Sequence, residues 1–391
     1  MKQHWNIVTG EYPPQRGGVS DYSRLVAEGL AAEDERVSVW TRSEWDSCSM
    51  DARISAHRLR HGFGVRSLPR LGREISGSGA PRLLLVQYVP QALGYRGMNL
   101  PFCLWLARRG EPVWTMFHEV IFPRELRQPA RHRFLAAVTR IMAAVVARAS
   151  ERVFVSTPAW ATILKTIAPG APEPEWLPVP STIPRVGDRD DVRHVVRRYG
   201  GDGRRLIGHL GSYGPLIAHR LEVAIPALLG RAPDASMLLL GEGGAALRQR
   251  LVDAWPALSR RIWATGPLAA RDVSLHLLAC DLMIQPFVEG VTTRRTSVMA
   301  ALLHGVPTVT TSGQLTEPLW RQTGAVALAP ATDPAALAGA ALALLADPKA
   351  RERLGAAGEA AYDTHFDVRH TIATLRRSDR QALHIAGARV H

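Results

Sequence analysis

At 391 residues the chain exceeds the size at which one hydrophobic core keeps growing, so two domains of roughly 150 to 200 residues each are expected. Its 46% apolar and 21% charged residues are those of an ordinary folded protein, and the longest oily stretch, 134–147, is broken by Arg140 and shorter than the roughly 20 residues that cross a bilayer, so no membrane span is expected. The net charge of +13 rests almost wholly on arginine and is spread evenly, with 23 basic and 16 acidic groups in residues 1–180 and 25 and 19 in the rest; this argues against a nucleic-acid binder, which concentrates charge on one element, and fits an arginine-rich composition serving anionic ligands.

Residues 1–10 hold one lysine and then a strand-like Trp5–Val8, with no apolar leader core or small-residue cleavage site, so a cytosolic protein is expected. Short apolar runs then alternate with helix-patterned segments, the signature of parallel sheets with crossover helices, and the fold class is α/β. In the first half strands are predicted at Trp5–Thr9, Val37–Thr41, Leu83–Tyr88, Pro112–Phe117, Arg152–Ser156 and Glu175–Val179, and helices near 19–32, 100–109, 132–149 and 158–168. Residues 169–191 combine six prolines with a charged tail, which suits an interdomain linker.

The rhythm restarts beyond it. Strands are predicted at Leu206–Leu210, Ser236–Gly241, Arg261–Thr265, Leu282–Phe287, Val306–Thr310 and Ala325–Leu328, with helices at 221–230, 245–254, 271–279, 297–304, 334–346 and 349–363. Two Rossmann-like domains facing a cleft follow, bounded at 1–180 and 181–365, with 366–391 a helix or tail that could cross back to the first. Cys48, Cys103 and Cys280 are far apart and form no CxxC pair, so neither a disulfide framework nor a cysteine zinc site is expected.

Three segments could carry chemistry. Directly after the first strand, GEYPPQRGGVSDY places Gly17 and Gly18 before a helix; two readings stand, a tight turn needing glycine dihedrals, or a loop whose free helix-start amides receive a phosphate or polar sugar. The fourth strand ends in His118 and Glu119, where open α/β sheets bind ligands, though a histidine that merely caps the next loop is an equal reading. In PFVEGVTTRRTSVMAALLHG, Glu289 can accept sugar hydroxyls, the loop Gly290, Val291, Thr292, Thr293 leads to a helix start at Thr296 and Ser297, and Arg294 with Arg295 would set two fixed positive charges beside a diphosphate. Arginines at a helix N-terminus oppose its dipole, so a bound anion would account for them, against the plainer reading of solvated surface charge. Gly208 and Gly211 in GHLGSYG, Gly241 in GEGG, and Gly266 with Leu268 in TGPL mark further glycine-rich strand ends.

Read in order, these pieces resemble the GT-B glycosyltransferases, and most closely glycosyltransferase family four, over nearly the whole chain. The landmarks are the Gly17–Gly18 loop, the strand-end His118, VFVSTPAW, IGHLG, LLLGEGG, TGPL, ACDLMIQPF and EG followed by HGVPTVTT. The resemblance implies a nucleotide-sugar donor, UDP- or GDP-linked, held chiefly by the second domain: the base at Gly266 and Leu268, the diphosphate at the loop from Gly290 to Ser297 and at Gly17 and Gly18, and His118 facing the sugar. It implies transfer with retention and no metal or other cofactor, positive charge and helix amides taking the metal's place.

Two departures stand out. The family shows two glutamates separated by seven residues, the second binding the donor ribose; counting from Glu289 reaches Ser297. The family's arginine after the first strand glycine, and its lysine a few residues on, are replaced by the stretch from Gly208-His209-Leu210 to Tyr213-Gly214-Pro215, and Arg294 and Arg295 are the nearest substitutes. The competing reading is a degenerate relative that binds a nucleotide or partner without transfer. The acceptor is open between a glycan, a lipid-linked and a small molecule. The segment from Pro123 to Arg152, with Arg124, Arg127, Arg131, Arg133, Arg140 and Arg148, reads either as a core helix with a basic edge or as a peripheral contact with anionic lipid, the former somewhat favoured.

Overall fold

The computed structural model describes residues 3–42, 51–77, 82–122, 129–201 and 203–377. Cys48, Arg124 and Arg127 lie outside them. Strand β1 (His4–Thr9), helix α1 (Gly18–Ala32), β2 (Arg36–Thr41), β3 (Ile54–Arg58), α2 (Leu68–Ser76), β4 (Arg82–Tyr88), α3 (Leu100–Leu106), β5 (Val113–Phe117), α4 (Ala130–Ala149), β6 (Arg152–Val155), α5 (Pro158–Ile167) and β7 (Glu175–Trp176) build a first unit. Its seven strands are all parallel, in the order β3-β2-β1-β4-β5-β6-β7. One face is packed by α2, α3, α4 and α5 around Val8, Leu84, Val86 and Phe117.

The second unit contains α6 (Arg189–Gly200), β8 (Arg205–Leu210), α7 (Pro215–Arg231), β9 (Ala235–Leu240), α8 (Gly244–Ala254), β10 (Ile262–Gly266), α9 (Ala270–Leu278), β11 (Leu282–Gln285), α10 (Thr296–Leu303), β12 (Thr308–Ser312), α11 (Leu319–Thr323), β13 (Ala327–Pro330), α12 (Pro334–Ala346) and α13 (Pro348–His365). Six parallel strands run β10-β9-β8-β11-β12-β13. Both faces are apolar: Ile207, Met237, Leu239 and Ile284 on one, Leu206, Leu238, Leu240 and Met283 on the other. Strands buried on both faces read as unbroken apolar runs, which is why β4, β9 and β11 were visible in the sequence.

The unit boundary falls between Val179 and Pro180, and the chain rejoins the first unit at Val368 through α14 (Val368–Arg376). A Cβ at Gly29 on α1 would come within 2.6 Å of Ile372 Cδ1, so glycine lets α14 seat closely, and Arg376 pairs with Glu33 at the end of α1. The expected linker over 169–191 contains the unit boundary, and α6, which begins inside it, was not anticipated. Its prolines lie between short elements: β7 extends the first sheet at residues 175–176, and α6 starts at Arg189 behind Asp188, whose carboxylate accepts the Asp190 amide at 2.7 Å. β3 and α2 were not anticipated either, because half of β3 is polar and α2 is a short helix with a narrow apolar stripe.

Candidate functional site

In each sheet the strand order reverses beside the unit's first strand, between β1 and β4 and between β8 and β11, and ligands of open α/β sheets bind beyond the carboxyl ends at such a point. Gly17 and Gly18 follow β1 and the Glu289–Ser297 loop follows β11 at these points, while His118 follows β5 and Gly241 and Gly266 stand at the ends of β9 and β10.

In the first unit β1 ends at Thr9. A Cβ at Gly10 would lie 2.3 Å from the Ala92 carbonyl, so the loops after β1 and β4 meet backbone to backbone. Gly17 precedes α1 and Gly18 opens it, with no side-chain cap on its first amides. Glu11 stands at this helix start: a Cβ on Gly17 would come within 2.9 Å of its Oε2. Burial, aided by Glu119 and opposed by Arg42, pushes the Glu11 carboxyl above the usual range. The sequence reading missed Glu11, whose role depends on the loop folding back.

His118 follows β5 and is buried. Its Nε2–H donates to Gln87 Oε1 at 2.8 Å, which leaves Nδ1 as an acceptor, and its ring meets Tyr22 edge-on with centroids 4.8 Å apart. Its carbonyl accepts from Trp160 Nε1 at 3.0 Å, so the turn after β5 is tied to α5. Desolvation pushes the imidazole down to about 3, so it is neutral at pH 7. Gln87, also unforeseen, is 1% exposed, and its amide nitrogen finds no acceptor among the described residues.

In the second unit the loop between β11 and α10 is built by close backbone packing and one buried carboxylate. Gly290 has φ +89, and a Cβ there would sit 2.1 Å from Thr316 Oγ1 and 2.3 Å from the Gly313 nitrogen; only glycine fits. The Val291 amide donates to Thr311 O at 2.7 Å. Glu317, 6% exposed, accepts from the Thr293 amide at 3.0 Å, from Thr293 Oγ1 at 2.9 Å and from Trp320 Nε1 at 2.8 Å. Val291 and Thr293, expected to contact the donor, therefore use their amides to hold the loop. Thr292 is fully buried as well.

What the loop presents outward is charge and helix start. Arg294 and Arg295 donate to one oxygen of Glu289, Oε2, at 3.1 and 3.4 Å, and the Arg295 guanidinium lies 4.5 Å from the Phe287 ring centroid. Arg295 is the N-cap of α10 and offers no side-chain acceptor, so the first-turn amides of Thr296 and Ser297 are without an intrahelical partner. Two guanidiniums gathered on Glu289 therefore stand beside the first-turn amides at the positive end of a helix, donor groups of the kind that receive an anion.

The neighbouring glycine turns line up by backbone contact. A Cβ on Gly241, at φ +111, would strike the Gly211 carbonyl at 2.3 Å, and Gly241 bridges to Gly266, whose amide plane turns at φ +67 with open space where a Cβ would be. Leu268 packs on the apolar cluster under this edge. Gly208 requires correction: it lies inside β8, where a Cβ would sit 2.4 Å from Met283 Sδ, so it is a packing glycine and not a strand end. His209 beside it is 2% exposed, pushed down to about 3 by burial, and rests against the Tyr213 ring at 4.9 Å; it points into the core and supplies no charge in place of an arginine. Among the described residues no three His, Cys, Asp or Glu side chains come together as a metal site.

Residues 205–347, which contain every second-unit candidate, match the family model described as Glycosyl transferases group 1. No curated protein matches the chain. Solved structures with the same fold include sucrose-phosphate synthase from Thermosynechococcus elongatus, 18% identical, TM-score 0.77, covering 98% of this chain and 100% of that one. Anabaena HepE in complex with UDP and glucose is 14% identical, with TM-score 0.70 over 96% and 98%. WaaG, a glycosyltransferase involved in lipopolysaccharide biosynthesis, is 15% identical, with TM-score 0.67 over 92% and 95%. Two parallel-sheet units and this set of neighbours give the chain the GT-B fold, and its second unit contains the stretch that matches the group 1 glycosyl transferase model.

Proposed function

We propose that the protein transfers a hexose-type sugar from a UDP- or GDP-linked donor to a hydroxyl acceptor, without a divalent ion and with retention at the anomeric carbon. The observation that carries this reading is the Arg294–Arg295 pair at the uncapped start of α10, gathered by Glu289 inside the segment that matches the group 1 model. Positive charge and free amides fixed in advance stabilise the charge that grows on a departing diphosphate. The bond between the anomeric carbon and the diphosphate oxygen breaks, the acceptor oxygen bonds to the same face of that carbon, and the acceptor proton passes to the leaving diphosphate. Glu289 keeps Oε1 for a sugar hydroxyl, and neutral His118 offers Nδ1 for another. Because Glu11 stands at the start of α1, the Gly17–Gly18 loop suits hydroxyls better than phosphate, which leaves the diphosphate to the second unit. UDP in the HepE complex supports a uridine donor as the first to try.

Release of nucleoside diphosphate from a panel of UDP- and GDP-sugars, in EDTA, tests the reading. Turnover that is lost in Glu289→Gln and in His118→Asn is expected; turnover unchanged in both would contradict this site, and binding without turnover in the unaltered protein would favour the non-transferring reading.

For the acceptor we favour a lipid-linked molecule. Helix α4 buries Ala136, Thr139, Met142 and Val146 in the core, yet exposes Phe134 at 63% and Ile141 at 53% along an edge that also carries Arg131. An apolar edge beside cationic groups supports a peripheral contact with anionic lipid. Co-sedimentation with anionic vesicles at low salt, reduced in Phe134→Ser, is expected; no binding by the unaltered protein would make α4 a core helix with a basic edge.

A further inference from the structure

Parallel sheets are covered on both faces and their strands are ordinarily apolar. On one face β1, β2 and β3 depart from this. Register sets Asn6 beside Ser38 and Ser38 beside Ser55. A hydrogen-bonded chain crosses all three strands: His4 Nε2 to Ser38 Oγ at 2.9 Å, Ser38 Oγ to Ser55 Oγ at 3.1 Å, Ser55 Oγ to His57 Nε2 at 3.2 Å. Trp40 Nε1 donates to Asn6 Oδ1 at 3.0 Å, and the Trp40 ring stacks on His57 at 4.2 Å. A core would gain more from valine or leucine at these places, since a satisfied polar row does little better than offset its own desolvation.

This row is the floor of a cavity of about 740 Å³, the size of a small-molecule site. Arg58, Arg60, Arg66 and Arg70 line it, against a single carboxylate among the described lining residues, Glu74, which pairs with Arg70 at 2.6 Å. The rim is cationic and the floor carries hydroxyl, amide and imidazole groups. The floor runs from β1 to the edge strand β3, and the lining includes neither Gly17, Gly18 nor His118.

We propose that this cavity binds a small phosphorylated polyol, its phosphate held by the rim arginines and its hydroxyls by the Ser38, Ser55 and His57 floor. The site is separate from the donor loop of the second unit and stands whether or not that loop holds a nucleotide. Guanidinium groups suit a phosphate because their fork of donors matches its oxygens, and a floor that both donates and accepts suits hydroxyls.

Calorimetric titration of the full chain with glucose 6-phosphate, glucose and inorganic phosphate tests the proposal, in the unaltered protein, in Arg60→Ala/Arg66→Ala and in Arg295→Ala. Glucose 6-phosphate is expected to bind more tightly than either fragment, to weaken by about tenfold or more in the rim variant, and to bind Arg295→Ala unchanged. Should the rim variant lose its circular dichroism, the ring resonances of His4 and His57 in the unaltered protein decide, and they are expected to shift on titration. Phosphate binding as tightly as glucose 6-phosphate, unchanged binding in a folded rim variant, loss of binding in Arg295→Ala, or imidazole resonances that stay still would each overturn it.

Discussion

Arg294 and Arg295 occupy a place where the helix dipole disfavours positive charge, and both reach the one Glu289 oxygen from partly buried positions. A bound diphosphate would turn the same geometry into charge-assisted hydrogen bonds. Arg295→Ala is therefore expected to weaken nucleoside diphosphate binding by about 1.5 kcal/mol or more, read by calorimetry, while the thermal midpoint stays nearly unchanged. Gly290 behaves in the opposite way. Its φ of +89 and the 2.1 Å approach of Thr316 Oγ1 to a would-be Cβ mean that Gly290→Ala should destabilise the fold by about 2 kcal/mol or more as well as weaken binding, seen as a lowered midpoint in thermal denaturation.

At the scale of elements, the loop before α10 is held in shape by a side chain 24 residues further on. Glu317→Ala would leave the Thr293 amide and Trp320 Nε1 buried without this acceptor, and should cost the second unit about 3 kcal/mol, measurable as a shifted denaturant midpoint. Nothing in the sequence around Glu317 announces that role, since it arises only when β12 brings Gly313 and Glu317 against the loop. The same holds for Gln87, which reaches His118 across 31 positions. The helix expected at 334–346 is α12, and its start is local: Asp333 precedes Pro334 and its carboxylate accepts the Ala335 and Ala336 amides at 2.9 and 3.1 Å. The prolines between 169 and 191 flank the unit boundary, yet they hid the start of α6, because proline is tolerated at strand edges and just before helices as readily as in linkers. Gly208 misled similarly: a glycine required for close strand packing has the same letter as one that turns a loop.

Across the whole molecule, both units bury neutral histidines. His118 and His209 are pushed down to about 3 and His304 to about 4, in each case chiefly by desolvation, from an ordinary value of 6.5. A histidine with a depressed folded pKa binds more protons unfolded, so its contribution to stability is intact above pH 6.5 and is lost as the pH falls toward the folded value. Thermal midpoints should therefore fall as the pH drops from 6.5 toward 4, and His209→Asn should flatten the slope. Titration of UDP and GDP into the full chain in EDTA, with Arg294→Ala/Arg295→Ala alongside, tests the proposal that guanidinium groups and helix amides hold a sugar diphosphate without a metal. It predicts saturable binding of one of the two nucleotides that the double variant loses. Equal binding by the double variant, or binding that returns only when a divalent ion is added, would contradict it.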